Sequence, residues 1–218
     1  MVVVLSFAKL KKIFLSISKG SGGFMKKHPR WCFYAIIIIG FLLTLYWVEG
    51  SSWSSREVAK YNGGYGTFDM KNYDVHAVEH VLATMDSDGY NVSYRYYVGD
   101  YLFTIFFGLL QCMIVLIIYN PLRMKLKIAR MMLVLSVVVL VLRGMADLVE
   151  NTLLVFTLLK YPNIHQNIIQ IASTATIIKL SCIKIWGLLM IVGLAMRFIR
   201  KLKNMSNRNM SNKNMIEK

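Results

Sequence analysis

The stretch WCFYAIIIIGFLLTLYWV, residues 31–48, decides the fold because it holds no charged side chain over nearly the length needed to cross hydrocarbon. Three further apolar runs follow, at about 101–119, 131–159 and 168–199. Hydrophobic residues make up 56% of the chain and charged residues only 17%, against about 45–50% and about 25% in soluble domains. The sequence therefore predicts an all-α integral membrane protein built as a four-transmembrane-helix bundle.

The basic residues predict how these spans are oriented. Of the 26 Lys and Arg residues, seven precede Trp31, four lie in the loop 120–130 and seven lie from Arg197 onward. Only four fall between spans one and two, and one falls in the turn between spans three and four. By the positive-inside rule both termini are cytoplasmic, and we expect a multi-pass protein of the plasma (inner) membrane. The basic residues that give the net charge of +15 then lie mostly on the cytoplasmic side, where they face anionic lipid. We exclude nucleic acid as a partner.

Three regions follow from this arrangement. Residues 1–30 form a basic cytoplasmic N-terminal segment, and residues 31–199 form the membrane domain. Residues 200–218 repeat Asn-Met-Ser-Asn, are polar and basic, and are predicted to be a disordered cytoplasmic tail.

The outer segment, residues 50–99, is the only sizeable part between spans. Its first twenty residues are rich in Ser, Gly, Asn and Tyr, which indicates a loop. From Asp74 onward apolar residues recur at helical spacing, and Asp74 itself is a suitable N-cap. We expect an outer amphipathic helix between spans one and two, ended by the sequence DSDGYN at 86–91.

The outer helix carries HAVEH, which matches the inverted zinc-peptidase pattern H-x-x-E-H. His76 and His80 would share a face, and Glu79 would be the general base of a metal-dependent hydrolase. A zinc site needs a third ligand, and the segment offers only scattered carboxylates such as Asp69. We therefore expect no cofactor and keep zinc at the outer helix as the alternative.

The third span contains LRGMADLVEN, residues 142–151, in which polar groups interrupt the apolar run. At about 100° per residue, Arg143, Asp147 and Glu150 share one face of a helix, and Asn151 lies beside them. Charges in hydrocarbon cost several kcal/mol, so this face must point into the bundle or into a wet cavity.

The neighbouring spans supply partners for this face. Spans three and four share a short connection, and Lys179 lies as far from it as Asp147, which predicts that the two meet. Span two adds Asp100 at its outer end and Gln111 in its middle. The predicted buried polar network comprises Asp100, Gln111, Arg143, Asp147, Glu150, Asn151 and Lys179. Counting Lys184 as well, three carboxylates balance three cations, so the buried set is expected to be neutral.

The region of residues 65–190 resembles a group of uncharacterised bacterial four-span membrane proteins. The resemblance rests on an Asp at the start of span two, D-x-x-E-N in span three, Tyr-Pro in the next turn and a Lys in span four. The matching residues here are Asp100, Asp147, Glu150, Asn151, Tyr161, Pro162 and Lys179. The resemblance implies a shared site and implies no activity.

Three functions are compatible with these residues. The first is a module that handles protons, ions or small solutes at the buried network, since ionisable groups inside membranes are functional by default. The second is an accessory or immunity-type protein that acts through helix contacts with another membrane protein. The partners open to the chain are the lipid bilayer, a second copy in a homodimer, and another membrane protein. The third is a membrane-embedded hydrolase, against which the absence of a nucleophile with a partnered base counts. A purely structural ion-pair network is the further alternative.

Overall fold

The computed structural model describes residues 30–123 and 126–216. The helices in order are α1 (Arg30–Gly50), α2 (Ser55–Tyr61), α3 (Val75–Thr84), α4 (Ser87–Arg123), α5 (Lys127–Lys160) and α6 (Gln166–Ile216). Four of them, α1, α4, α5 and α6, are long and apolar enough to cross a membrane. The prediction of an all-helical chain with four membrane-length helices is therefore confirmed for this part of the chain.

Two helices extend well beyond the predicted spans. Helix α4 begins at Ser87 instead of near 101, because Tyr96 and Tyr97 are buried against the outer segment and continue its packed face. Helix α6 continues through Ile216, so the segment expected to be disordered is helical to that point. No Gly or Pro follows Gly193, and nothing in the local sequence ends the helix. The predicted N-terminal segment lies outside the described residues except for Arg30.

The outer segment contains the expected amphipathic helix, α3. The Asp74 side chain accepts a hydrogen bond from the Ala77 backbone amide at 2.8 Å, as an N-cap does. The stretch before it, predicted to be loop throughout, also forms the short helix α2. The non-helical stretch expected over residues 86–91 is shorter in the structure. Met85 and Asp86 alone separate α3 from α4, which begins at Ser87.

Helix α5 packs along both α4 and α6, so the central layer of the fold is a group of three adjacent helices. The segment 50–99 covers one end of these helices through a shared apolar cluster, whose most deeply buried members are Val78, Val81, Ile169 and Ala172. The Trp47 indole of α1 donates a hydrogen bond to the Arg95 carbonyl at 3.2 Å and so ties the end of α1 to α4. This packing places the polar face of α5 between its two neighbours.

A buried charged cluster as candidate functional site

The polar face of α5 meets the lysine of α6 as the counting from their shared turn predicts. Arg143 Nη2 lies 2.6 Å from Asp147 Oδ2 within α5. Lys179 Nζ of α6 lies 3.2 Å from Asp147 Oδ1 and 2.6 Å from Glu150 Oε2. Arg143 is thus paired with Asp147, Lys179 is paired with both Asp147 and Glu150, and Asp147 is the carboxylate that joins the two cations.

Helix α4 closes the cluster from the other side of α5. The Asp100 carboxylate accepts a hydrogen bond from the Asn151 side-chain amide at 2.6 Å. One turn further along α4, the Thr104 hydroxyl donates to Asp147 at 2.8 Å. The Arg143 guanidinium also lies 4.6 Å from the centre of the Phe107 ring, a cation–π distance. Three helices thus fix the same small set of charges.

The outer segment contributes a fourth carboxylate, Asp69. It is 7% exposed and accepts a hydrogen bond from the Tyr96 hydroxyl at 2.8 Å. Tyr96 lies one turn before Asp100 on α4, so Asp69 is held at the same end of the cluster as Asp100. One carboxylate of the cluster therefore comes from the segment that precedes α3.

Tyr73 of the outer segment also reaches the cluster. Its hydroxyl lies 3.5 Å from the Thr176 hydroxyl, and Thr176 in turn donates a hydrogen bond to Glu150. Burial raises the pKa of the Tyr73 phenol above its usual range, and the carboxylates Glu150 and Asp69 add to the shift. The phenol therefore stays neutral at physiological pH and keeps its proton.

Helical spacing in the sequence could have predicted two of these additional residues. Thr104 lies four positions after Asp100, and Thr176 lies three positions before Lys179, so each shares a helix face with a predicted member. Asp69 and Tyr73 have no such periodic relation to the spans. Their place in the cluster depends on how the outer segment folds back, which no local pattern encodes.

Two predicted contributions differ in the structure. Gln111 is fully buried, but its amide makes no hydrogen bond within the described residues and does not join the other members. Lys184 is exposed on α6, so counting it toward a neutral buried set was wrong. Helix α6 packs against α5 through the face that carries Lys179. Lys184 lies on a different face of α6 and is exposed.

Without Lys184, the buried charges do not balance. The side chains of Asp69, Asp100, Asp147, Glu150, Arg143 and Lys179 have exposed fractions between 0% and 7%. This set contains four carboxylates and two cations. Asp100 and Asp69 are bonded by neutral groups, the Asn151 amide and the Tyr96 hydroxyl. In the formal count, Asp69 and Asp100 are therefore the two carboxylates without a cation partner among the described residues.

The zinc-peptidase pattern on α3 lies apart from this cluster on an exposed face. His76 Nδ1 and Glu79 Oε2 are 3.9 Å apart, with side-chain exposures of 92% and 52%, and His80 is exposed as well. Across 30–123 and 126–216, no group of three or more His, Cys, Asp or Glu side chains is placed to hold a metal ion. A third ligand for His76 and His80 is accordingly missing from this region.

The fold and the cluster together define a class: an all-helical protein with four membrane-length helices and a charged interior. No protein-family model, curated protein or solved structure matches the chain. The residues of the cluster are therefore the basis for inferring a function.

Proposed function

We propose that the four helices cross the inner membrane as a bundle with both termini in the cytoplasm, and that the buried cluster takes up and releases a proton or a small cation. The observation that carries the proposal is the charge imbalance of four carboxylates against two cations. The orientation follows from the distribution of Lys and Arg in the loops and termini.

The imbalance has an energetic consequence. An unpaired charge buried in a low-dielectric interior costs several kcal/mol, and such groups are neutralised instead. Arg143 and Lys179 are already bonded to Asp147 and Glu150. Neutrality at Asp100 and Asp69 therefore requires a proton or a cation from outside the protein, and exchange of that species is the proposed activity.

The outer segment contacts α6 beside the cluster. The Ser173 hydroxyl of α6 donates to the Asn72 side chain of this segment at 2.7 Å, beside the contact between Tyr73 and Thr176. A cavity of about 20 Å³ is lined mainly by apolar residues such as Phe68 and Val78 and by none of the charged residues of the cluster. The exchanged proton or ion would therefore be bound by the carboxylates themselves, and an organic solute would require the outer segment to move.

The test is a flux assay in liposomes that contain the purified full chain and an internal pH-sensitive dye. A potassium diffusion potential set with valinomycin drives protons inward, and Asp100→Asn is compared with wild type. We expect proton entry with wild type and its loss with Asp100→Asn, since Asn keeps an acceptor for Asn151 and removes the titratable group. Glu79→Gln, an exposed carboxylate on α3, is the matched control and retains activity.

The same liposomes distinguish a proton from a cation. If proton entry is absent in wild type, sodium and potassium gradients are applied with the corresponding dyes. Equal flux in wild type and Asp100→Asn for all three ions would show that the cluster does not conduct them, and the structural ion-pair network would then be the better account.

A second candidate, the accessory protein acting through helix contacts, is favoured by the exposure of Lys184. This lysine lies near the middle of the apolar part of α6, and Ile185 and Leu188 beside it are also exposed. A lysine among lipid chains is costly, and a partner helix with a carboxylate would relieve that cost. Energy transfer between the labelled chain and a leucine-rich transmembrane peptide with one central Glu tests it. Association is expected for wild type and not for Lys184→Leu, and a peptide with Gln in place of Glu is the control.

A further inference from the structure

A groove separate from the charged cluster lies where the end of α4 meets α6. It has a volume of about 690 Å³. Helix α4 contributes Pro121 and Leu122. Helix α6 contributes one face, whose members recur at helical spacing: Leu194, Arg197, Phe198, Arg200, Lys201, Asn204 and Met205. The lining therefore contains three cationic side chains and five apolar ones.

Pro121 leaves a backbone carbonyl of α4 without its helical donor, and arginines of α6 bind at this point. Proline has no backbone N–H, so Ile117 in the preceding turn of α4 loses the donor that its carbonyl would have in a regular helix. The Arg197 guanidinium supplies that donor through Nη1 at 3.1 Å. The Arg200 guanidinium donates through Nη1 to the Pro121 carbonyl at 2.8 Å, near the end of α4. Both arginines are thereby held at the groove.

The two helices also approach closely just before this point. The Tyr119 hydroxyl donates to the Leu189 carbonyl of α6. A Cβ atom added at Gly193 would lie 2.6 Å from the Ile118 side chain and 2.8 Å from the Tyr119 ring, so only glycine allows this spacing. The groove opens directly beyond this close contact between α4 and α6.

The level of the groove matches the edge of the hydrocarbon. The apolar run of α4 ends at Tyr119, and that of α6 ends at Ile199. Leu194, Phe198 and Met205 are each more than two-fifths exposed, with values of 54%, 63% and 48%. These apolar side chains lie next to Arg and Lys, as in sites that bind both the headgroup and the chains of a lipid.

We propose that this groove binds an anionic phospholipid, with its phosphate on Arg197, Arg200 and Lys201 and an acyl chain along Leu194 and Phe198. Charge complementarity supports this occupant, because the lining contains no carboxylate. Each arginine uses one nitrogen for a backbone carbonyl, and its other donors are free to bind phosphate oxygens. The inference needs the membrane placement and is independent of ion flux through the cluster.

The test uses native mass spectrometry of the full chain released from neutral detergent. Dioctanoyl phosphatidylglycerol and dioctanoyl phosphatidylcholine are titrated separately. The variant Lys201→Gln removes one groove cation that makes no hydrogen bond among the described side chains, and Lys184→Gln removes an exposed cation elsewhere on α6 as the matched control. We expect wild type to prefer phosphatidylglycerol and Lys201→Gln to bind it about fivefold more weakly, the effect of about 1 kcal/mol per basic residue.

Three results would overturn the inference. Equal binding of phosphatidylglycerol and phosphatidylcholine by wild type would show that the negative charge of the lipid does not contribute to binding. An equal loss in Lys201→Gln and Lys184→Gln would place binding elsewhere. Competition by inorganic phosphate at the concentration of the lipid would show that the groove takes a free anion and that the acyl chain contributes nothing. Unchanged ion flux in Lys201→Gln separates this result from that of the cluster.

Discussion

The replacement Asp147→Asn tests the division of charge within the cluster. Asp147 is 2% exposed and accepts from Arg143 at 2.6 Å, Thr104 at 2.8 Å and Lys179 at 3.2 Å. After the change, Lys179 keeps the Glu150 carboxylate, whereas Arg143 loses its carboxylate partner and keeps a neutral amide acceptor and its contact with the Phe107 ring. Leaving one partner of a buried ion pair alone costs about 3–5 kcal/mol, and the retained contacts favour the lower end, about 3 kcal/mol.

The expected effect is large enough for a thermal assay. In a chain of this size, 1 kcal/mol shifts the melting temperature by about 2–4 °C, so Asp147→Asn should lower it by roughly 6–12 °C. Cys182 is buried, and a thiol-reactive dye therefore reports its exposure when the purified protein unfolds in detergent. Scan rate and detergent are held constant because unfolding of such proteins is often irreversible.

The opposite result is expected for Asp100→Asn. Asp100 has no cation partner within residues 30–123 and 126–216, and replacing its carboxylate with an amide leaves an acceptor for the hydrogen bond from Asn151. Its melting temperature should equal or exceed that of wild type, and the surface control Glu79→Gln should not change. If Asp100→Asn is destabilised as strongly as Asp147→Asn, the assignment of the cations to Asp147 and Glu150 is wrong.

Three further changes test helix packing and capping away from the charged cluster. Gly193→Val places side-chain atoms against Ile118 and should cost about 1–3 kcal/mol, measured as a lower melting temperature in the same assay. Tyr119→Phe removes the hydrogen bond to the Leu189 carbonyl and should cost about 1 kcal/mol, so a fall larger than that from Gly193→Val would contradict the geometry. Asp74→Ala removes the N-cap of α3 and should cost about 1 kcal/mol of local stability, seen as faster amide exchange in α3 with α5 unchanged.

The membrane-length helices could be predicted because their signal is local. A run such as 31–48 must be helical in hydrocarbon, where every backbone polar group needs an internal partner. The contact between Asp147 and Lys179 could also be predicted, since a short turn fixes the relative depth of the residues on both sides. Helical geometry then placed Asn151 and Glu150 on the same side.

The parts that could not be predicted depend on contacts between distant segments. Asp69 lies in a loop without periodicity, and only packing of the outer segment brings it to the cluster. Lys184 was separated from Lys179 by about 140° around the helix, yet the sequence does not show which of the two directions is covered. The ends of α4 and α6 were missed because apolar length marks the edge of hydrocarbon, whereas a helix continues until something breaks it.

Asp69 belongs both to the segment that covers one end of the long helices and to the buried set of carboxylates. One of the four buried carboxylates belongs to the segment 50–99, which packs over one end of α5 and α6, and the other three belong to α4 and α5. Asp69 and Tyr73 both lie on that segment, so a change that shifts it would move both side chains relative to α4 and Thr176 at the same time. The composition of the buried cluster therefore depends on how a segment outside the four long helices is packed.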